Sequence, residues 1–187
     1  TVDGTYGSVR SAAGAKQLTT IAIKDNKAGT GHLFFELSKK AETDVQVTFK
    51  IDADALAAYN AANGTSYQMY PTDKLSLENG GVVTIATGSK RSESLELAIN
   101  PGGTVGTTYA VAISATAGNG VEVSSNTQSY IYLVENLGVT PDPAAKGDIK
   151  NLVYVEVNNE NPLNAGEYTV DGVPFFDIVS IFAANIN

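Results

Sequence analysis

Apolar and polar residues alternate along Val45-Gln46-Val47-Thr48-Phe49-Lys50-Ile51. Successive side chains of a strand point to opposite faces, so this order predicts a strand with one face on a core and the other in water. Leu95-Glu96-Leu97-Ala98-Ile99 repeats the pattern. Both stretches therefore predict antiparallel sheets that are buried on one side.

Short strands separated by turns continue on both sides of these stretches. Further candidates are residues 19–23, 32–37, 82–85, 109–115 and 130–134. Glycine-rich turns such as Asn79-Gly80-Gly81 separate them. Strands and turns at this spacing predict a mostly β fold, an antiparallel β-sandwich, for a first domain over residues 1–136.

One stretch departs from the strand pattern. Asp52 precedes an alanine-rich run that ends at Asn63-Gly64, which predicts one short helix with an aspartate N-cap and a glycine stop. Leu56 and Tyr59 lie three residues apart and are expected to share a helix face that covers an end of the sheet. Capping at the helix N-terminus also explains Asp54 without a calcium site.

Three tyrosines near the helix allow two interpretations. Tyr59, Tyr67 and Tyr70 are close in sequence, and aromatic rings of this kind can stack on sugars. The chain has no tryptophan, and we favour core packing of the three rings.

A second segment follows a linker. Residues 137–149 are rich in proline and glycine and poor in apolar side chains, which is typical of an interdomain linker. Residues 152–157 and 175–187 are apolar runs that predict strands buried on both faces, as in a parallel sheet. Strands that are apolar on both faces need other elements packed above and below them, and this sequence has no residues after the second run to supply these elements. We therefore expect further polypeptide, in the same chain or a second one, to pack against residues 150–187.

Composition excludes several function classes. Twenty acidic residues against 12 basic ones give a net charge of −8, which repels nucleic acid. The chain has no cysteine and one histidine, His32, so cysteine nucleophiles and multi-histidine metal sites are excluded, and no cofactor is expected. His32 is expected to be a partly buried strand residue. No apolar run reaches the roughly 18 residues of a membrane span.

Candidate site residues end or follow the two apolar strands of the second segment. They are Glu156, Asn158, Phe182, Asn185 and Asn187. Ligands bind beyond the carboxyl ends of the strands in parallel sheets and barrels, which favours a binding role. Asparagine also shapes turns, so position alone leaves both interpretations open.

Three runs of the same segment are more specific than general strand composition. They are Tyr154-Val155-Glu156-Val157-Asn158-Asn159, Leu163-Asn164-Ala165-Gly166-Glu167-Tyr168-Thr169 and Phe176-Asp177-Ile178-Val179-Ser180-Ile181-Phe182-Ala183-Ala184-Asn185-Ile186-Asn187. In this order and spacing they closely resemble the start of bacterial endo-β-N-acetylglucosaminidases of glycoside hydrolase family 18. The resemblance implies that residues 150–187 form the first two strands of a truncated TIM barrel.

The resemblance also implies an activity for the parent protein. Members of this family cleave between the two core N-acetylglucosamines of N-linked glycans, with retention, using the substrate acetamide as nucleophile. Their Asp-x-x-Asp-x-Asp-x-Glu motif does not occur in residues 1–187. We therefore expect no catalytic residue here and an inactive chain when isolated, with Glu156, Asn158, Phe182, Asn185 and Asn187 binding substrate.

The first domain carries a looser resemblance. The run from Leu56 to Tyr67, followed by Tyr70-Pro71 and the strand at Tyr109, is similar to β-sandwiches of unassigned function in surface glycan-processing proteins of Bacteroidetes. This similarity implies an exported protein at the cell surface or in the periplasm, including a lipoprotein whose signal has been removed. The alternative is a non-enzymatic surface module that binds glycans or mediates adhesion. In either case the expected partner is an N-linked glycan or glycoprotein.

Overall fold

The structure is a computed structural model that describes residues 4–13, 17–141, 150–156 and 161–182. The chain divides into two compact units, residues 1–139 and 140–187. Strands of the first unit are β1 (Tyr6–Ser11), β2 (Leu18–Ile23), β3 (Gly29–Leu37), β4 (Val45–Ile51), β5 (Gln68–Met69), β6 (Leu75–Leu77), β7 (Val82–Ile85), β8 (Leu95–Ile99), β9 (Thr108–Ala117), β10 (Glu122–Val123) and β11 (Ser129–Asn136). The predicted strands are thus confirmed within one or two residues at each end, apart from β3, which begins three residues earlier than predicted.

Two sheets make up the first unit. Their strand orders are β10-β1-β3-β8-β6 and β2-β11-β9-β4-β7, with β5 beside β9. Most neighbours run antiparallel, as predicted, but β1 and β10, β2 and β11, and β5 and β9 pair in parallel. Alternation along single strands does not reveal these parallel pairs, because direction depends on how distant segments meet.

A shared core lies between the two sheets. Val9, Leu33 and Phe35 of the first sheet pack in one buried cluster with Val47 and Phe49 of the second. Along β4 the apolar positions 45, 47 and 49 are buried and the polar positions 46, 48 and 50 are exposed. The predicted half-buried strand and the mostly β, sandwich-like architecture are therefore confirmed.

The helix forms where the sequence predicts it. Helix α1 spans Ala53–Asn63, the Asp52 side chain accepts hydrogen bonds from two backbone amides of the first turn, and Gly64 ends the helix with φ of 63°. Leu56 packs with Ala110 of β9 and Ile131 of β11. Ala110 and Ala112 of β9 alternate with Val111 and Ile113, which face the main core. Helix α1 therefore covers the outer face of the second sheet rather than the end of the sheet.

The three tyrosines near the helix are buried or partly buried as expected, whereas His32 is not. Core packing of the tyrosines is confirmed: Tyr70 is fully buried, and Tyr59 of α1 and Tyr67 are partly buried against the cluster that contains Leu56. His32 lies in β3 as expected, but its side chain is exposed. Leu33 faces the core, so strand alternation turns the preceding residue to solvent.

The second unit contains a parallel strand pair. Its described elements are β12 (Leu152–Glu156), a 3-10 helix (Pro162–Glu167), β13 (Thr169–Val170), β14 (Val173–Pro174) and β15 (Ile178–Phe182). Strands β12 and β15 pair in parallel, with Leu152 opposite Ile178 and Glu156 opposite Phe182. The expected parallel arrangement of the two apolar strands is present.

Within this chain alone, the strand pair is not buried on both faces, and its burial by further polypeptide stays a prediction. Within this chain Leu152, Tyr154, Ile178 and Ile181 are between 43% and 67% exposed. The 3-10 helix contacts both strands and, with six residues, is too short to cover two faces. In the described part of the chain, no helix is long and apolar enough to cross a membrane.

Candidate ligand site on the second unit

Asn151 sets the register of the two parallel strands. Its side-chain amide donates to the Phe175 carbonyl at 2.9 Å, and its backbone N–H donates to the Asp177 carboxylate at 2.8 Å. The Asp177 N–H donates in return to the Asn151 carbonyl at 2.9 Å. These bonds align the amino ends of β12 and β15, so the carboxyl ends also meet, at Glu156 and Phe182.

A groove of about 670 Å³ lies beside β12. Its side-chain functional groups come from the strand, the 3-10 helix and the segment that leads into β15. They are the aromatic rings of Tyr154, Tyr168 and Phe176, the carboxylate of Glu156 and the amides of Asn161 and Asn164.

The aromatic wall of the groove is held by backbone and ring contacts. Tyr168 and Phe176 meet edge to face, with ring centroids 5.9 Å apart. Phe175 donates its backbone N–H to the Tyr168 carbonyl at 2.9 Å and also contacts Phe176 edge to face. Tyr154 and Tyr168 nevertheless remain 67% and 64% exposed. Exposed rings of this kind present a flat apolar surface to a ligand, while their hydroxyl groups remain in contact with solvent.

Asn161 fixes the polar wall. Its side-chain oxygen accepts the Leu163 N–H at 3.0 Å, and its carbonyl accepts the Asn164 N–H at 3.0 Å. These two bonds cap and close the first turn of the 3-10 helix. Asn164 and Glu156 are both exposed at the groove. An amide both donates and accepts hydrogen bonds and a carboxylate accepts them, so the wall suits a ligand with many hydroxyl groups.

The predicted site residues fall into two groups. Glu156 lines the groove, and Phe182 is its partner in the strand register. Asn158, Asn185 and Asn187 lie outside the described residues. Their binding role stays a prediction.

Sequence reasoning missed most of the groove. Tyr154 lay inside a run predicted to be buried on both faces, and Tyr168, Phe176 and Asn164 had no assigned role. The Asn161-Pro162 pair is a turn signal that could have located the polar wall. Across the described residues, no group of three or more acidic or histidine side chains is placed to hold a metal ion.

The first unit defines the class of protein. A family model described as an N-terminal domain matches residues 5–122, which is more than half of the chain. The chain belongs to this family of N-terminal domains.

Two comparisons extend the similarity to particular enzymes. The chain is 40% identical over 63 residues to endo-beta-N-acetylglucosaminidase F1 of Elizabethkingia meningoseptica, a match covering 28% of the chain and 19% of that protein. It also matches the crystal structure of Bacteroides thetaiotamicron EndoBT-3987 with Man5GlcNAc product, with 26% identity and a TM-score of 0.63. That match covers 96% of this chain and 43% of the other. The chain thus spans less than half the length of either relative, and its resemblance to Bacteroidetes endo-β-N-acetylglucosaminidases is confirmed.

A third comparison shows the fold alone. A Bacteroides ovatus protein that is described, provisionally, as carbohydrate binding is 18% identical, with a TM-score of 0.58. The match covers 71% of this chain and 36% of that protein.

Proposed function

We propose that this chain is the N-terminal part of an endo-β-N-acetylglucosaminidase of glycoside hydrolase family 18, which cleaves the chitobiose core of N-linked glycans. The observation that carries this proposal is the similarity to EndoBT-3987, because it covers 96% of the chain and so includes both units. The identity shared with endo-beta-N-acetylglucosaminidase F1 supports the same activity.

The second unit is proposed to form the first two strands of a TIM barrel. Parallel pairing of β12 and β15 supports this, because barrel strands are all parallel. The exposed side chains of Leu152, Ile178 and Ile181 are the surface that the rest of the barrel would cover. The parent's remaining barrel, in the same chain or a second one, is the proposed partner.

The proposed role of the second unit is binding rather than chemistry. Ligands of TIM barrels sit at the carboxyl ends of the strands, where Glu156 and Phe182 lie. The groove beside them is lined by aromatic rings and amides, which are groups that contact sugars. The general acid and the residue that orients the substrate acetamide are expected in the remainder of the parent protein.

Extracellular glycoproteins as substrates imply an exported protein, at the cell surface or in the periplasm. The alternative function is a non-enzymatic surface module that binds glycans or mediates adhesion. A groove on the first unit that is lined mainly by neutral side chains supports this alternative.

The proposed binding role is tested by kinetics on the complete protein with an N-glycopeptide. Tyr154→Ala and Asn164→Ala should each lower kcat/KM about fivefold, which is the loss of roughly 1 kcal/mol of binding. Leu163→Ala is the matched control, because Leu163 lies in the same 3-10 helix, is 78% exposed and does not line the groove. Asn185→Ala and Asn187→Ala should resemble the groove variants. Unchanged kinetics in all four, or complete loss of turnover in any, would contradict the assignment.

A further inference from the structure

A second groove lies on the outer face of the first unit, between α1 and the turn that joins β10 to β11. Its volume is about 570 Å³. One wall is a face of α1 that carries Ala55, Ala58, Tyr59 and Ala62. Alanines at this spacing share a helix face and leave room beside the helix.

The opposite wall is made of neutral polar side chains. Ser125, Asn126, Gln128 and Ser129 line it, and Asn126 and Gln128 are exposed. Among the described residues, these four side chains and the Tyr59 hydroxyl have no hydrogen-bond partner. They are therefore available to a ligand, and each amide can both donate and accept.

The single charged side chain among the lining residues is already occupied. Asp52 accepts hydrogen bonds from the Asp54 and Ala55 N–H groups through one carboxylate oxygen. Through the other it accepts the Ser114 hydroxyl at 2.6 Å and pairs with Lys50 at 3.1 Å. The groove thus presents free amides, hydroxyls and one aromatic ring, without a free charge.

We propose that this groove between α1 and the β10–β11 turn binds a neutral oligosaccharide. Sugar hydroxyls match the free amides and serine hydroxyls in type, and the exposed part of the Tyr59 ring can cover the apolar face of a pyranose. An anionic ligand would find no cation lining the groove, and an apolar one would leave the amides unpaired. All the residues that line this groove belong to the first unit.

The test measures oligosaccharide binding to the complete protein by isothermal titration. The probes are a free high-mannose N-glycan oligosaccharide, mannohexaose, cellohexaose and xylohexaose. At least one should bind with a Kd of roughly 1 mM or tighter. Gln128→Ala should weaken that binding about fivefold, since it removes one ligand hydrogen bond.

A matched pair of helix variants separates blocking of the groove from damage to the fold. Ala58→Leu with Ala62→Leu places two branched side chains in the groove, whereas Ala57→Leu with Ala61→Leu adds the same groups to α1 outside it. Leucine and alanine have similar helix propensity, so both variants should keep α1. Only the first should lose binding.

Three results would overturn the site. They are no binding of any probe, equal affinity in the two helix variants, or binding that disappears with Tyr154→Ala on the second unit and not with Gln128→Ala. If the complete protein binds an oligosaccharide in the titration but does not cleave N-glycans, the result contradicts the proposed enzyme function and leaves the binding site supported.

Discussion

The Ser114 hydroxyl donates a hydrogen bond of 2.6 Å to the Asp52 carboxylate and so ties β9 to the N-terminus of α1. The same carboxylate caps the helix and pairs with Lys50. One side chain therefore connects the strand before the helix, the helix itself and the neighbouring strand. Asp52 is predicted to be a main determinant of how α1 sits on the second sheet.

Asp52→Ala should lower the free energy of unfolding by roughly 1–2 kcal/mol at neutral pH, because it removes the helix cap and the partner of Ser114. Asp52→Asn should cost less, since asparagine is also a good N-cap. Urea unfolding of both variants followed by circular dichroism measures the order. Equal stability of Asp52→Ala and the unaltered protein would contradict the role of this carboxylate.

The same site predicts a pH dependence. The Ser114 hydrogen bond, supported by the Ala55 N–H and by Lys50, outweighs burial and lowers the pKa of Asp52 from 3.8 to about 2. A carboxyl group whose pKa is lower in the folded state stabilises the fold above its unfolded pKa, and this contribution disappears as the pH falls from about 4 to about 2. The stability difference between the unaltered protein and Asp52→Asn should therefore be constant above about pH 5 and shrink on acidification. A difference that grows in acid would contradict this linkage.

Adjacent glycines in the turn before β7 should respond differently to alanine. Gly80 and Gly81 have φ of 63° and 87°, so alanine is strained at both positions. A Cβ at Gly81 would also overlap the Phe49 carbonyl oxygen of β4, whereas nothing lies within 4 Å of a Cβ at Gly80. Gly80→Ala should cost roughly 1–2 kcal/mol, and Gly81→Ala clearly more. Thermal unfolding of the two variants measures the difference, and equal losses would show that the turn can move away from β4.

Exposure of β15 tests whether the second unit belongs to a barrel. Ile181 is 51% exposed and Leu163 is 78% exposed in this chain. If the rest of a barrel covers the strand pair, Ile181→Lys should destabilise the complete protein by several kcal/mol, because it buries an unpaired charge. Leu163→Lys is the control and should change stability by about 0.5 kcal/mol or less. The same small effect for both variants would show that nothing covers β15.

Sequence pattern located the elements whose side chains alternate and missed those set by distant contacts. β4 was predicted because Val45, Val47 and Phe49 alternate with polar residues. β1 was missed because Gly7, which has little strand propensity, and the polar Ser8 interrupt the pattern between Tyr6 and Val9. Gly7 is required there since a Cβ would overlap the Phe35 ring, a contact across strands that a single run does not reveal.

The groove on the second unit shows the same limit. Glu156 was found because its position at a strand end has a general meaning in parallel sheets. Tyr168 and Phe176 come together only through the turn between β13 and β14 and the bond from Phe175 to Tyr168. Because Tyr168 and Phe176 lie far from Tyr154 along the chain, the sequence does not indicate that the three rings line one groove.

Cleavage of an N-glycoprotein by the complete protein tests the central claim most directly. The glycoprotein, carrying high-mannose glycans in one sample and complex glycans in another, is incubated with the protein and its mass is then measured. The account predicts that at least one sample retains a single N-acetylglucosamine on each glycosylated asparagine, with the rest of the glycan released intact. Unchanged masses in both samples, or release of the whole glycan with conversion of asparagine to aspartate, would contradict it.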